Sequence, residues 1–390
     1  MQELLLLLLP VAAASGWLAA RKSQQRQEES KPGCETSPVY FRGLNHLLNE
    51  EPDKAIDAFV EMLEVDSDTV ETHLALGNLF RRRGEVERAI RIHQNLIARP
   101  ALTREQRAQA LLELGQDYMR AGLFDRAENL FRELKDTQLH VKPALRNLLV
   151  IYEKERDWEA CLGVATELEA ITGDERQLQK SHYHCELALA ARDDGRPADA
   201  AAQLKKALGT FRGCVRANHI KAQFAAAQGE YKSAIKVLRQ TAEQDVSYLP
   251  EVIPDIVENY RQIGDLAGLR RYLDETAREH PGIGAELAMA DLLVSEDGEA
   301  AAAGYLADQL ARAPSLALLL RSIELNTQMP DSESSAFIEG LRPHVHRLLE
   351  QRPLYQCSHC GFAARTLHWQ CPSCRRWSTI KRKAGAETET

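Results

Sequence analysis

Residues 70–100 read VETHLALGNLFRRRGEVERAIRIHQNLIARP, and residues 108–131 read AQALLELGQDYMRAGLFDRAENLF. The first stretch carries Leu76-Gly77, then Phe80, Gly84, Ala89 and a closing Pro100. The second carries Leu114-Gly115, Tyr118, Gly122, Phe124, Ala127 and Phe131. Such self-similarity at a fixed period marks stacked supersecondary units, and each unit here reads as two antiparallel helices. The same register runs outward. Ala55 precedes Ala89 by 34 residues, with Gly43 and Phe59 at the matching places. A step of 34 from Ala127 lands on Cys161, flanked by Tyr152 and Trp158. Ala200 and Ala234 are again 34 apart, with Gly195 and Gly229 at the turns. Tyr260, Gly264 and Pro281 mark another unit, and Gly298, Ala303 and Pro314 a further one.

This is the tetratricopeptide pattern. About eight such units fit between residues 38 and 315, with insertions at 101–104 and near 173–177, and residues 316–350 read as a less regular helical cap. The small residue at the Ala89 position lets the second helix approach the first, while the Leu76 and Phe80 positions fill the gap. One pair cannot bury its apolar stripe alone, so stacked pairs share a continuous core, and the stack curves around a wall of first-helix side chains. By that logic Asn78, Arg81, Gln116 and Arg120 face a groove that binds partners. For any one of them alone, a solvated helix face is the plainer reading.

Composition agrees with helices. Of 390 residues, 44% are hydrophobic and only 6% aromatic, while Ala, Leu, Glu, Arg and Gln recur throughout. That apolar fraction excludes wholesale disorder. A formal charge of −8 argues against a chain whose main work is gripping phosphate backbones, and no nucleic-acid partner is expected. Nucleotide-binding, hydrolase and zinc-protease motifs are absent from the sequence.

Leu4 to Ala20 is a run of 17 residues without a charge. A helix of that length rises about 25 Å, just short of a hydrocarbon core of about 30 Å. A cleaved leader wants a positive charge before its apolar run, and here only Gln2 and Glu3 precede it. A buried soluble helix would show a polar stripe, which consecutive leucines lack. An uncleaved anchor at 1–20 is therefore expected. Arg21, Lys22, Arg26 and Lys31 follow it and place the long C-terminal portion in the cytoplasm. Residues 21–37 then read as a polar tether.

The strongest chemical signal is Cys357-Ser-His-Cys360-Gly361, followed after ten intervening residues by Cys371-Pro-Ser-Cys374. Four thiolates around one ion make a closed tetrahedral site, and the two-residue gap folds each pair into a knuckle. Gly361 suits the left-handed backbone such a knuckle needs. A redox pair of the thioredoxin kind wants a βαβ context, and structural disulfides conflict with a cytoplasmic location. Zinc and iron both fit this donor set. Residues 351–383, the metal module, hold seven Lys and Arg and no acid, whereas the chain as a whole is acidic. A basic knob beside acidic repeats favours docking between them, or an acidic partner. Residues 384–390 read as a tail, and the scattered Cys34, Cys161, Cys185 and Cys214 as small hydrophobes.

The leader MQELLLLLLPVAAASGW, the tetratricopeptide units and the C-x-x-C-G…C-P-x-C ending together resemble the lipopolysaccharide assembly protein B family of bacterial inner-membrane proteins. The resemblance implies an all-α tetratricopeptide-repeat solenoid with an N-terminal transmembrane helix and a rubredoxin-like four-cysteine metal module. It also implies a non-enzymatic adaptor that helps the membrane-bound protease FtsH degrade the deacetylase of lipid A synthesis, and that contacts lipopolysaccharide synthesis or transport proteins. One departure stands out: Arg375 occupies the place of the second knuckle glycine of rubredoxins. It weakens the rival expectation of an electron-transfer protein with an iron centre.

Overall fold

The computed structural model describes residues 38–49, 51, 54–59, 70–282, 284–328 and 335–383. The expected anchor at 1–20, tether at 21–37 and tail at 384–390 lie outside the described residues. Among the described residues no helix is long and apolar enough to cross a membrane. The chain divides into two compact units, Met1–Ala144 and Leu145–Thr390.

The first unit opens with α1 (Pro38–Leu48) and a short helix, α2, over 54–59. Two hairpins follow, α3 (Val70–Arg83) with α4 (Val86–Ile97), and α5 (Arg104–Ala121) with α6 (Phe124–Asp136). The expected insertion at 101–104 is a helix start: the Thr103 hydroxyl accepts from the Gln106 N–H while the Gln106 side chain accepts from the Thr103 N–H. Gly122 ends α5 with φ +76°, a conformation a Cβ disfavours. The small residues of the repeat, Ala55, Ala89 and Ala127, are all fully buried.

In the second unit, α7 (Val141–Glu155) contributes its residues from 145 onward, followed by α8 (Trp158–Thr172), α9 (Gln177–Asp193), α10 (Pro197–Thr210), α11 (Val215–Ala227) and α12 (Tyr231–Arg239). A short connection through a 3-10 turn (Val246–Tyr248) leads to α13 (Leu249–Ile263), α14 (Leu266–Glu279), α15 (Ala285–Glu296), α16 (Glu299–Arg312), α17 (Leu316–Gln328) and α18 (Ser335–Gln351). Cys161, Ala200 and Ala234 are fully buried at the small-residue position. At the α15–α16 hairpin the register shifts by one: Ala302 rather than Ala303 is fully buried. This turn and the one at Gly84 both hold two residues, but Gly298 is the second and directly precedes α16, whereas Gly84 is the first and Glu85 intervenes before α4. The turn before α8 holds no glycine. Arg156 adopts φ +60° in its place, at a cost of about 1 kcal/mol.

The chain ends in a three-stranded antiparallel sheet, ordered β2-β1-β3, with β1 (Tyr355–Cys357) central between β2 (Ala363–Ala364) and β3 (Ile380–Arg382). Tyr355 pairs with Ala364 on one side and Arg382 on the other.

Candidate metal centre and its docking face

The two knuckles are near copies of one another. In the first, the Gly361 N–H donates to the Cys357 carbonyl at 3.0 Å, and the Cys357 N–H to Phe362 at 2.8 Å. In the second, the Arg375 N–H donates to the Cys371 carbonyl at 2.8 Å, and the Cys371 N–H to Arg376 at 2.9 Å. Both turns need a left-handed residue. Gly361 supplies it at φ +75°, and Arg375 does so at φ +59° despite its Cβ. The hairpin β1–β2 encloses the first knuckle, rather than bridging the two knuckles, because Ala363 and Ala364 turn straight back onto β1.

The sulfurs of Cys357, Cys360, Cys371 and Cys374 all lie within 4.8 Å of one another. Cys357 and Cys374 are 3.7 Å apart, as are Cys360 and Cys371. A tetrahedron with metal–sulfur bonds of about 2.3 Å has edges of about 3.8 Å, so the donor set fits one zinc or iron ion. Backbone N–H groups of His359 and Cys360 point at Cys357, and those of Phe362 and Arg376 at Cys360 and Cys374. Burial opposes ionisation of Cys357, but Thr379 and those N–H groups draw its pKa down to about 6. Burial and the neighbouring sulfurs push Cys374 up to about 12. Four thiolates this close need a cation among them to be ionised together, which is the chemistry a bound ion supplies.

Basic knob and acidic repeats meet within the second unit. The module docks on the stretch from Glu153 to Glu251, and its Arg365 also donates to the Glu350 carbonyl of α18. Trp377 stacks on His182 with centroids 4.7 Å apart and meets Trp158 and Tyr183 edge-on. Trp369 stacks on Tyr248 at 5.1 Å. The Arg216 guanidinium lies over both indoles, 5.9 and 5.8 Å from their centroids. Polar bonds rim this aromatic layer. Glu153 accepts from Trp377 Nε1 at 3.2 Å and from Gln370 Nε2 at 3.1 Å, with Arg375 Nη2 3.5 Å away. Lys381 pairs with Asp245 at 2.7 Å, and the Tyr355 hydroxyl donates to Glu251.

The proposed groove residues of the first unit have mixed fates. Arg81 spends its guanidinium on Asp117 at 2.8 Å and Glu113 at 2.7 Å, with only 16% of its side chain exposed. His93 completes this network with Nδ1 2.5 Å from Asp117. Asn78 and Gln116 are half-buried, and Arg120 is exposed.

Residues 355–382 match the rubredoxin metal binding domain, and residues 72–108 and 185–246 match tetratricopeptide repeats. The lipopolysaccharide assembly protein B of Escherichia coli strain K12 is 39% identical over 343 residues, covering 88% of each chain. The chain belongs to the lipopolysaccharide assembly protein B family. The Haemophilus influenzae member is 35% identical over 353 residues, again covering 88% of both. A solved structure of the MamA protein is 19% identical and covers 45% of this chain and 90% of its own, at a TM-score of 0.34.

Sequence reasoning reached the knuckles of this lipopolysaccharide assembly protein B homologue but missed its docking face. His182 and His184 sit two apart on α9, a spacing that places them on different faces; the buried one stacks on Trp377, and the other meets Gln203 at 2.9 Å. The rings of Trp369 and Trp377 pack on the repeats, against Tyr248 and His182. Charge asymmetry was the one available signal, and it pointed to docking without giving the partners.

Proposed function

We propose that this chain is a non-enzymatic scaffold of the bacterial inner membrane. It is held by a single anchor at 1–20 with its C-terminal portion in the cytoplasm, and it regulates lipopolysaccharide biosynthesis. In this reading it presents the lipid A pathway deacetylase to the FtsH protease and coordinates lipopolysaccharide synthesis or transport proteins. Cys357, Cys360, Cys371 and Cys374 hold one structural metal ion, and Asn78, Arg81, Gln116 and Arg120 belong to a groove that takes protein partners. The observation that carries the reading is 39% identity, over 88% of both chains, to a protein named for lipopolysaccharide assembly. Stacked helical pairs support it too, because they present a long surface to other chains. The second knuckle supports a structural ion: it places Arg375 where a glycine is cheaper and aims that side chain at Glu153.

The test is the deacetylase half-life after translation is stopped, in cells whose own family member has been replaced by this chain. The unaltered chain is expected to keep that half-life short. Cys371→Ser, or deletion of residues 1–20, should lengthen it several-fold. An unchanged half-life in both variants rejects the reading. Protease accessibility on spheroplasts separately tests the topology, since a cytoplasmic C-terminal portion should resist digestion until the membrane is breached.

A further inference from the structure

Two of the helices that receive the metal module, α11 and α13, meet it through Arg216 and Glu251 in their N-terminal turns. On α11 the docked Arg216 lies on the same stripe as His219 and Gln223; on α13 the docked Glu251 shares its stripe with Asp255, Glu258 and Gln262. Past the module, these stripes line a cleft of about 270 Å³, bordered by Gln223, Tyr231, Asp255, Glu258, Asn259 and Gln262. The cleft holds two carboxylates and no Lys or Arg.

Its acceptors outnumber its donors. Asn259 is 5% exposed, and its Nδ2 donates to the Asp255 carbonyl at 2.6 Å. That leaves the buried Oδ1 with no partner among the described residues. Gln262 Nε2 donates to one oxygen of Glu258 at 2.7 Å, and Asp255 accepts from His219 at 2.7 Å and from Gln223 Nε2 at 3.4 Å, both on one oxygen. Glu258 is exposed. The cleft runs along the C-terminal half of α13, from Asp255 to Gln262, and faces Gln223 near the end of α11.

We propose that this cleft binds an arginine or lysine side chain from a partner protein segment lying along the groove beyond the metal module. Elsewhere in the second unit, carboxylates already take the module's own cations, with Arg375 at Glu153 and Lys381 at Asp245. A guanidinium suits the site best, because its fork of donors serves Glu258, Asp255 and the Asn259 oxygen together. The inference deepens the scaffold reading by naming the chemistry of one partner contact.

The test is fluorescence anisotropy of the detergent-solubilised full chain with a labelled eight-residue peptide of alternating Arg and Ala. A citrulline version of that peptide keeps the shape and removes the charge. The arginine peptide should bind at least tenfold more tightly than the citrulline peptide. Glu258→Gln alone should weaken it about threefold, and Asp255→Asn with Glu258→Gln at least tenfold. Glu279→Gln with Asp308→Asn removes the same charge elsewhere on exposed helix faces and should change binding less than twofold. Helical circular dichroism and metal content check that each variant is folded. Equal losses in the two double variants would reduce the effect to long-range charge and overturn the proposal. So would equal binding of the citrulline peptide, or spermidine binding that these variants abolish while the peptide does not bind. The measurement involves no lipopolysaccharide enzyme. Its failure therefore leaves the scaffold reading standing, and an unchanged deacetylase half-life leaves this contact standing.

Discussion

Glu153 sits where repeat and metal module meet, with 7% of its surface exposed. One oxygen accepts from the Tyr183 hydroxyl at 2.6 Å, Gln179 at 3.1 Å and Trp377 at 3.2 Å; the other faces Gln370 and Arg375. Glu153→Gln keeps an acceptor toward Trp377 but turns an amide N–H toward Gln370 and Arg375, and should weaken docking by about 2 kcal/mol. Glu153→Ala strands all the donors and should cost about 4 kcal/mol. Tryptophan emission against guanidinium reads both losses, and a smaller loss for Ala than for Gln contradicts the network. His182 makes a second prediction at this scale. It is fully buried beneath Trp377, with Nε2 2.7 Å from Ser378 Oγ and Arg216 close by. Burial, then the Arg216 charge, hold its pKa well below 6.5. The folded form thus binds fewer protons than the unfolded one, so its contribution is intact above pH 6.5 and falls as pH drops, by up to about 1.4 kcal/mol per pH unit. His182→Phe keeps a ring on Trp377 without a titrating group. Between pH 7.5 and 5.5 the unaltered chain should lose about 1.4 kcal/mol more than this variant, and equal losses would show that His182 does not titrate on unfolding.

At the scale of elements, each hairpin of the first unit closes by the same device. Gly43 faces Phe59, Gly77 faces His93 and Gly115 faces Phe131, always 16 residues on. A Cβ on Gly115 would lie 2.6 Å from the Phe131 ring, which is itself fully buried. Gly115→Ala should therefore destabilise by about 2 kcal/mol through overpacking. Gly163 is the contrast: it lies exposed within α8, nothing approaches its Cβ position, and Gly163→Ala should stabilise by about 1 kcal/mol. Thermal melts followed at 222 nm check both, and a shift of the same sign in the two variants defeats the argument. Much of this device was legible. The Leu-Gly pairs, the turn glycines and the recurring Ala are local signals whose meaning survives any tertiary context. His93 was not legible as an aromatic stand-in, because its place depends on Asp117 and Arg81 from neighbouring helices. The same network explains why Arg81, on the expected groove face, gives its charge to the repeat stack.

For the molecule taken entire, what the sequence concealed is the long-range contact. The four cysteines announce one another through spacing, but Trp377 meets Glu153 and Trp369 meets Tyr248 across more than a hundred residues, and no periodicity encodes such a meeting. The module's fold and its docking share one dependence. Its buried core is little more than Tyr355, Cys357, Cys371 and Ile380, too small to fix Trp369 and Trp377 in place without an ion joining the knuckles. The repeats carry their own core, including fully buried Leu238, Leu249, Ile256, Leu269 and Leu273, and need no ion. Stripping the metal with a chelator and a thiol reagent should therefore separate the two. Helical ellipticity should fall by less than about a tenth, since neighbouring pairs still support one another. Tryptophan emission should shift to the red as Trp369 and Trp377 leave their partners and Trp158 and Tyr248 become exposed, and protease should cut between α18 and the module. Cys371→Ser should reproduce all three changes without any reagent. If the helices melt together with the module, the ion holds the repeats as well, and the separation of roles argued from the packing is wrong.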